Sequence, residues 1–594
     1  MPTLKPYVGP SRKIVLAFDV GTTFSGISYA ILDPGETPKI QSVTRFPGQE
    51  NGDFKIPSVL WYTQEGEMRA AGAEARASAM TLIAEDEDLI FVEWFKLHLR
   101  PDAMQNDAGL SSDVRLPALP PGKTVIHVFA DFLRYLYRCT RAYIEDTHPN
   151  GASLWASVEA HAEIVLSHPN GWEGSQQSKM RQAAVLAGLV PNNTAGHERV
   201  HFVSEGEASL NYCLDSGLAA DAIAAGRSVM IIDAGGGTVD LSTYLSTASN
   251  PVTVEETAPA DCIFQGSTRI NVRAQKFLSA FLKNSRYGNE EDVKSMMDSF
   301  EKSVKPTFKD PIERSFVKFG SIRDKDPDVG IRSGQLLMNG SDVESFFEPS
   351  IIAIVEAVKK QRLAASEPVF MALLVGGFAA SPWLFARLKG ILQEIGIQLS
   401  RPDNHTNKAV AEGAVIHFLG SVVAVRVARL TYGATCVKAY NPSDPEHTSR
   451  ASKLTSRPSG RLTIPGGFTA MLIKGTRMRD QEEVSFPFFQ ETPSASLLNS
   501  ISADITCYRG AAKEPRWTDE EPERFSTLCT VRADTSRVIR RKKQGPNGTY
   551  YQQAYKIVLS CGLTEMKAQI SWMEEGVEKR GPASIVYDDD AIAG

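Results

Sequence analysis

Cysteine is scarce in this chain, with seven in 594 residues. Cys139, Cys213, Cys262, Cys436, Cys507, Cys529 and Cys561 are far apart, odd in number and form no CxxC pair. That argues against a disulfide framework or a zinc site and implies a reducing compartment. Charge of one sign is also lacking. The 64 basic and 70 acidic residues leave a formal charge of -6, so there is no global attraction for nucleic acid or an anionic membrane, and any such contact must be local. Long hydrophobic runs are missing as well. The most apolar later stretch, 413–428, is short and carries His417 and Arg426, and the opening MPTLKPYVGPSRK has no signal-peptide core. The expectation is a soluble cytoplasmic protein, with nuclear access possible, no membrane span and no nucleic-acid partner. His161, His168 and His417 lack metal-ligand spacing and read as structural.

What is present is a repeated grammar. Residues 13–30, KIVLAFDVGTTFSGISYA, read as a strand, an acidic residue, a Gly/Thr turn and a second strand. The pattern returns at 228–244, SVMIIDAGGGTVDLSTY, and predicts two related lobes. Helices are expected over 125–144, 175–189 (Ser175 as N-cap, Gly188 as stop), 268–305 and 341–362, and from Ser381 onward; buried strands over 161–168 and 369–375. Beyond about residue 429 short alternating segments, including 555–559 and 568–572, are divided by turn clusters such as Pro465-Gly466-Gly467 and Pro546-Asn547-Gly548. This predicts a β-rich C-terminal part, with 442–461 and 509–524 as mobile loops.

A phosphate chain needs backbone N–H donors at close range, which glycine turns provide. Gly21 and Gly235-Gly236-Gly237 offer this twice, each after a strand-end carboxylate, Asp19 or Asp233, and each followed by hydroxyls, Thr22, Thr23 and Thr238. Opposed carboxylates suit hydrated magnesium beside a polyphosphate. An ordinary hairpin turn explains either motif alone; the ordered pair is the stronger signal.

Asp19-Val-Gly-Thr-Thr-Phe-Ser25, Asp233-Ala-Gly-Gly-Gly-Thr-Val-Asp240 and Leu374-Val-Gly-Gly377 together resemble the phosphate-1, phosphate-2 and adenosine motifs of the seventy-kilodalton heat-shock (DnaK-type) chaperones of the actin-like ATPase superfamily. Val203-Ser-Glu-Gly-Glu-Ala-Ser209 and Ala409-Val-Ala-Glu-Gly-Ala414 look similar to its two connecting segments. The likeness covers roughly 13–425. It implies an α/β fold, two actin-like lobes (duplicated ribonuclease H-like units), over 13–428: lobe I about 13–225 plus 405–428, lobe II about 226–404. A β-rich domain, 429–594, follows, for binding substrates or partners.

The resemblance also implies ATP/ADP and Mg2+ as cofactors. It makes Lys96, Glu205, Asp233 and Thr238 catalytic, with Asp19, Asp233 and Asp240 around the metal, largely through water. Gly21, Thr22, Thr23, Phe24, Gly235, Gly236, Gly237, Thr238, Glu301, Lys305, Gly376, Gly377 and Phe378 become nucleotide contacts. Lys96 has the alternative of a surface lysine, and Phe378 of a core aromatic. The family's relay proline is Gly206 here, and its adenine-stacking arginine is missing from 378–381. The C-terminal third lacks the family's leucine-rich linker and helical lid and is similar to the divergent "member 12" branch.

The expected function is a slow ATPase chaperone whose nucleotide state controls binding of client or signalling proteins, with co-chaperones and exchange factors as further partners. Alternatives are a nucleotide-gated interaction protein with little hydrolysis, a small-molecule kinase, for which DAGGGTVD is the wrong second loop, and an actin-like filament. The basic run RVIRRKK, 537–543, reads as a solvated hairpin face, with a nuclear signal or a contact for acidic partners as alternatives.

Overall fold

The computed structural model describes residues 4–101, 116–172, 174–219, 226–249, 252–402, 406–479, 482–561, 565–582 and 584–585. The lobe boundaries placed at 225 and 404–405 lie outside them. Packing divides the chain into two compact units, Met1–Trp172 with Lys179–Val423, and Glu173–Ser178 with Ala424–Gly594.

The first unit is mixed α/β and contains two sheets with the same strand order. In one, the strand Lys13–Val20 pairs antiparallel with Phe24–Leu32, which pairs with Lys39–Ser42; on its other side lie Glu163–His168 and Val200–Ser204, both parallel. In the other, Ser228–Ala234 pairs antiparallel with Val239–Ser249 and that with Val252–Glu256, while Val369–Val375 and Gln398–Ser400 follow in parallel. The repeated strand–turn–strand pattern in the sequence therefore marks the same place in both sheets. The central strands are buried along nearly their whole length, as continuous β-branched and aliphatic runs require when helices cover both faces.

Each sheet has a large core on one side. Phe129, Phe132, Leu133 and Leu136 of the helix Val125–Thr147 pack against Ile14, Leu16 and Phe18 in the first. In the second, Ile270, Ala274 and Leu278 of Thr268–Phe281, with Phe347 and Ile351 of Gly340–Ala364, pack against Met230 and Ile232. The opposite faces carry one helix each, Ala409–Leu419 on the first sheet and Glu205–Asp215 on the second. These two helices touch: a Cβ on Gly413 would lie 1.8 Å from the Ala208 carbonyl oxygen, so only glycine permits the crossing.

Several expected boundaries move. The helix expected from Ser175 is Gly174–Leu186, so Ser175 lies inside it instead of capping it; Gly188, at φ +78°, does follow its end. The long helix expected over 268–305 is broken between Phe281 and Glu290 and passes through a π-helical turn, Phe300–Val304, into a last α turn, Lys305–Thr307.

The second unit is β-rich. One sheet has the order Thr455–Ser456, Leu462–Leu472, Thr431–Ala439, Ser500–Tyr508, Phe525–Asp534, and another includes Glu483–Thr492, Gly548–Cys561, Met566–Glu574 and Val577–Arg580. Ile501, Ile505 and Val531 of the first share a core with Ile557, Leu559 and Ile570 of the second. Pro465-Gly466-Gly467 is not a turn between strands. It sits within Leu462–Leu472, where the register slips between Cys436 and Lys438 and Gly466 takes φ +78°, a bulge that glycine accommodates. Nor are 442–461 and 509–524 loose loops: Arg450 bonds Asp519 and Glu520, Arg516 bonds Asp444, and the buried Trp517 ring lies under the Arg450 guanidinium at 4.4 Å. Among the described residues no helix is long and apolar enough to cross a membrane.

Candidate nucleotide site

The two glycine turns cap equivalent central strands. In the first, Asp19 opposes Gly26 and Val20 opposes Ser25 across the hairpin. A Cβ on Gly21 would come 2.2 Å from the Phe24 carbonyl oxygen, so the turn closes only around glycine. The Ser25 hydroxyl accepts the Gly21 N–H at 3.2 Å. In the second turn Asp233 opposes Asp240, and the Gly235 N–H donates to the Thr238 carbonyl at 2.9 Å. The carbonyls of Gly235, Gly236 and Gly237 accept N–H groups from Ser267, Thr268 and Gly266, which anchors the loop to the start of the Thr268–Phe281 helix.

The turns face each other directly. A Cβ on Gly236 would meet Thr23 Oγ1 at 2.3 Å, and one on Gly237 would meet Thr22 Oγ1 at 2.5 Å. Thr22 and Thr238 are buried, whereas Phe24 is half exposed at the edge.

Around this contact four carboxylates converge. Asp19 pairs with Lys55 and accepts the Ser167 hydroxyl at 3.0 Å. Glu205, first residue of the Glu205–Asp215 helix, pairs with Lys96 at 2.5 Å. Lys96 is buried with its ammonium 5.4 Å from the Trp172 ring centre, so it is not a surface lysine. Asp233 accepts the Ser209 hydroxyl at 2.6 Å, and Asp240 accepts the Asn170 N–H at 2.6 Å.

Burial sets the electrostatics of the group. It raises Asp233 to about 7, with Glu205 adding to the rise, and lifts Asp240 well above the carboxylate range, with Glu205 and Asp233 contributing. Glu205 is raised by burial against the opposing pull of Lys96. Burial draws the Lys96 ammonium downward, but Glu205 and Asp19 outweigh it and hold the group charged.

Gly376 packs over this cluster. At φ +91° it brings its Cα so close that a Cβ would lie 2.4 Å from Asp233 Oδ1, whereas Gly377 is exposed with open space before it. Phe378 takes the place of a core aromatic, buried in the second sheet's core with its ring 6.2 Å from that of Phe347. Glu301 and Lys305 meet at Asn271, which donates to Glu301 at 2.9 Å and accepts from Lys305 at 2.9 Å. Burial lowers Lys305; it pushes Glu301 upward, but Lys305 and the Asn271 bond hold that carboxyl below its usual range.

Lys55, Ser167, Asn170, Ser209 and Asn271 are residues that the sequence reading missed. Nothing in a single sequence distinguishes them, since each acts through a tertiary contact. Gly206 also has a local reason. A Cβ there would lie 2.4 Å from Ser242 Oγ, and its N–H donates to Asn170 Oδ1.

The residues fit magnesium and a phosphate chain in their chemistry. The donors are hard carboxylate oxygens, Asp240 Oδ2 is buried without a hydrogen-bond partner, and the loops approach so closely that only glycine fits. No three or more His, Cys, Asp or Glu side chains among the described residues gather as a direct metal-ligand group. The space beside Gly237, bounded by Trp94, Leu97, Phe264 and Arg269, is small, about 20 Å³. A larger surface groove of about 620 Å³ lies elsewhere, along Gly340–Ala364.

No protein-family model matches the chain. It is 23% identical to human heat shock 70 kDa protein 12B over 514 residues, covering 73% of this chain and 72% of that protein. It is 24% identical to the mouse and human heat shock 70 kDa proteins 12A over 518 residues, covering 72% of each chain. The chain is thus a distant homologue of the heat shock 70 kDa proteins 12A and 12B, a divergent branch of that family.

Proposed function

We propose that this chain is an actin-like, heat shock 70-type protein that binds ATP with magnesium between its two glycine turns and hydrolyses it slowly. Its nucleotide state would govern how the β-rich domain, 429–594, engages client or signalling proteins. The observation that carries the reading is the apposition of Thr22 and Thr23 with Gly236 and Gly237, at equivalent positions of two like-ordered sheets, beside the buried Lys96–Glu205 pair. Distant homology to the 12A and 12B proteins supports it.

In this reading the backbone of both turns holds the phosphates, and Asp19, Asp233 and Asp240 hold the hydrated metal. Thr238 contacts the γ-phosphate side, and Gly376 and Gly377 border the adenosine, with Glu301 and Lys305 toward the ribose. Magnesium, when bound, supplies charge neutralisation for the phosphates. Lys96 stabilises charge on the transferred group, and Glu205 holds Lys96 in place. The reaction is positioning and electrostatics without a covalent intermediate.

The structural places of Gly206 and Phe378 favour a second reading, a nucleotide-gated interaction protein with negligible turnover. Single-turnover incubation with radiolabelled ATP separates the two. ADP formed above background, and lost in Lys96→Ala, supports the ATPase; binding without ADP supports the second reading; no binding removes both.

A further inference from the structure

The basic run at 537–543 holds five cations in seven residues, and no Asp or Glu occurs from 535 to 564. In the structure it is an irregular loop between the strands Phe525–Asp534 and Lys543–Gly545, with only its last residue in a strand. Two residues fix it from inside. Val538 packs against the core of the C-terminal unit, and the Arg540 guanidinium donates to the carbonyls of Leu498 and Thr535. Ile539, between them, is turned outward and is 85% exposed.

Around Ile539 the cations face solvent. Arg537, Arg541, Lys542 and Lys543 are exposed. Arg541 and Lys542 form no ion pair among the described residues, and Lys543 donates to Gln552 with its ammonium 5.9 Å from the Tyr550 ring. The nearest acid in sequence, Asp534, is engaged by Ser536 and feels the charge of Arg537.

We propose that this loop is a peripheral contact for an anionic lipid surface: Ile539 enters the headgroup layer while Arg537, Arg541, Lys542 and Lys543 meet lipid phosphates. The chemistry selects this occupant. An exposed aliphatic flanked along the chain by exposed cations fits the boundary between headgroups and acyl chains. Single-stranded nucleic acid would call for an exposed aromatic platform, whereas the side chain that stands out here is isoleucine and the Tyr550 ring is half-buried beside Lys543. An extended acidic peptide would call for a free strand edge, and most of this loop is outside any strand. With a formal charge of -6 for the chain, attraction must be local and short in range, and therefore sensitive to salt.

The test is co-sedimentation of the full chain with phosphatidylcholine vesicles, with and without about a third phosphatidylserine. Binding is expected only to the anionic vesicles and should weaken as salt rises. Replacing Arg541, Lys542 and Lys543 by alanine should lower partitioning about fivefold for each cation removed, and Ile539→Asp by roughly tenfold. These side chains are exposed, so unchanged thermal melts are expected in both variants. Absence of vesicle binding, or equal binding to both vesicle types, overturns the proposal. If the triple variant loses binding to the vesicles and to heparin while Ile539→Asp binds like the parent, the loop is a general polyanion contact and the lipid assignment fails.

Discussion

Lys96 and Glu205, 109 residues apart in the chain, form a buried ion pair at 2.5 Å beside the two glycine turns. Removing one partner strands a buried charge, which typically costs about 3–5 kcal/mol. Lys96→Ala should therefore lower both denaturant stability and single-turnover hydrolysis, the latter by at least about a hundredfold. Adding Glu205→Gln should recover much of the stability and none of the hydrolysis. Recovery of both would make the pair a structural brace only.

Gly206 lies in the first turn of the Glu205–Asp215 helix, and its surroundings exclude proline. Proline would lose the N–H bonded to Asn170 Oδ1 at 3.3 Å and would place atoms against Ser242 Oγ. Gly206→Pro is expected to destabilise by about 1–3 kcal/mol, through the unpaired Asn170 oxygen and the crowding at Ser242, read as a drop in the melting midpoint. A variant as stable as the parent would show that neither the Asn170 bond nor the Ser242 contact constrains this position.

Much of the first unit was legible because its signals are local. The aliphatic runs of 13–20 and 228–234 and their glycine turns specify hairpins without help from the rest of the chain. The strand running into Gly376 is of the same kind. The residues that hold the carboxylates, Lys55, Ser167, Asn170 and Ser209, were not legible: each is an ordinary polar residue until folding sets it against Asp19, Asp240 or Asp233. In the C-terminal unit composition misled. Pro465-Gly466-Gly467 has the residues of a turn but forms a bulge, and the polar segments 442–461 and 509–524 read as loose because ion pairs between distant segments leave no periodic trace.

Those ion pairs give a pH prediction. Hydrogen bonding to Arg450 holds Asp519 down to about 2, from an ordinary 3.8. A carboxyl depressed in the folded state contributes stability above its unfolded pKa and loses it as pH falls through the folded one. The contribution is thus complete above about 4 and lost toward about 2; because Asp519 is partly exposed, screening limits it to about 1 kcal/mol. Trp517, buried beneath Arg450, reports the loss. Its emission should shift to the red across that window, and Asp519→Asn, which cannot ionise, should show the shifted emission already at neutral pH with no step across the window. Identical acid profiles would disconnect Asp519 from the clasp.

Asn271 joins Glu301 to Lys305. If this trio borders the nucleotide, Asn271→Ala should weaken binding of a fluorescent ATP analogue by roughly tenfold through the loss of a buried polar bridge, with hydrolysis of bound nucleotide little changed. Unaltered affinity would remove Glu301 and Lys305 from the nucleotide contacts.

The apposed turns at Gly21 and Gly236-Gly237 are tested most directly by equilibrium titration of ATP into the wild-type chain and Gly237→Val, with and without magnesium. The wild type should bind in a magnesium-dependent manner. The variant, whose first side-chain carbon would lie 2.5 Å from Thr22 Oγ1, should bind at least about a hundredfold more weakly while staying folded by circular dichroism. Equal affinity in both chains, or no magnesium-dependent binding in the wild type, would contradict a nucleotide site between the two turns.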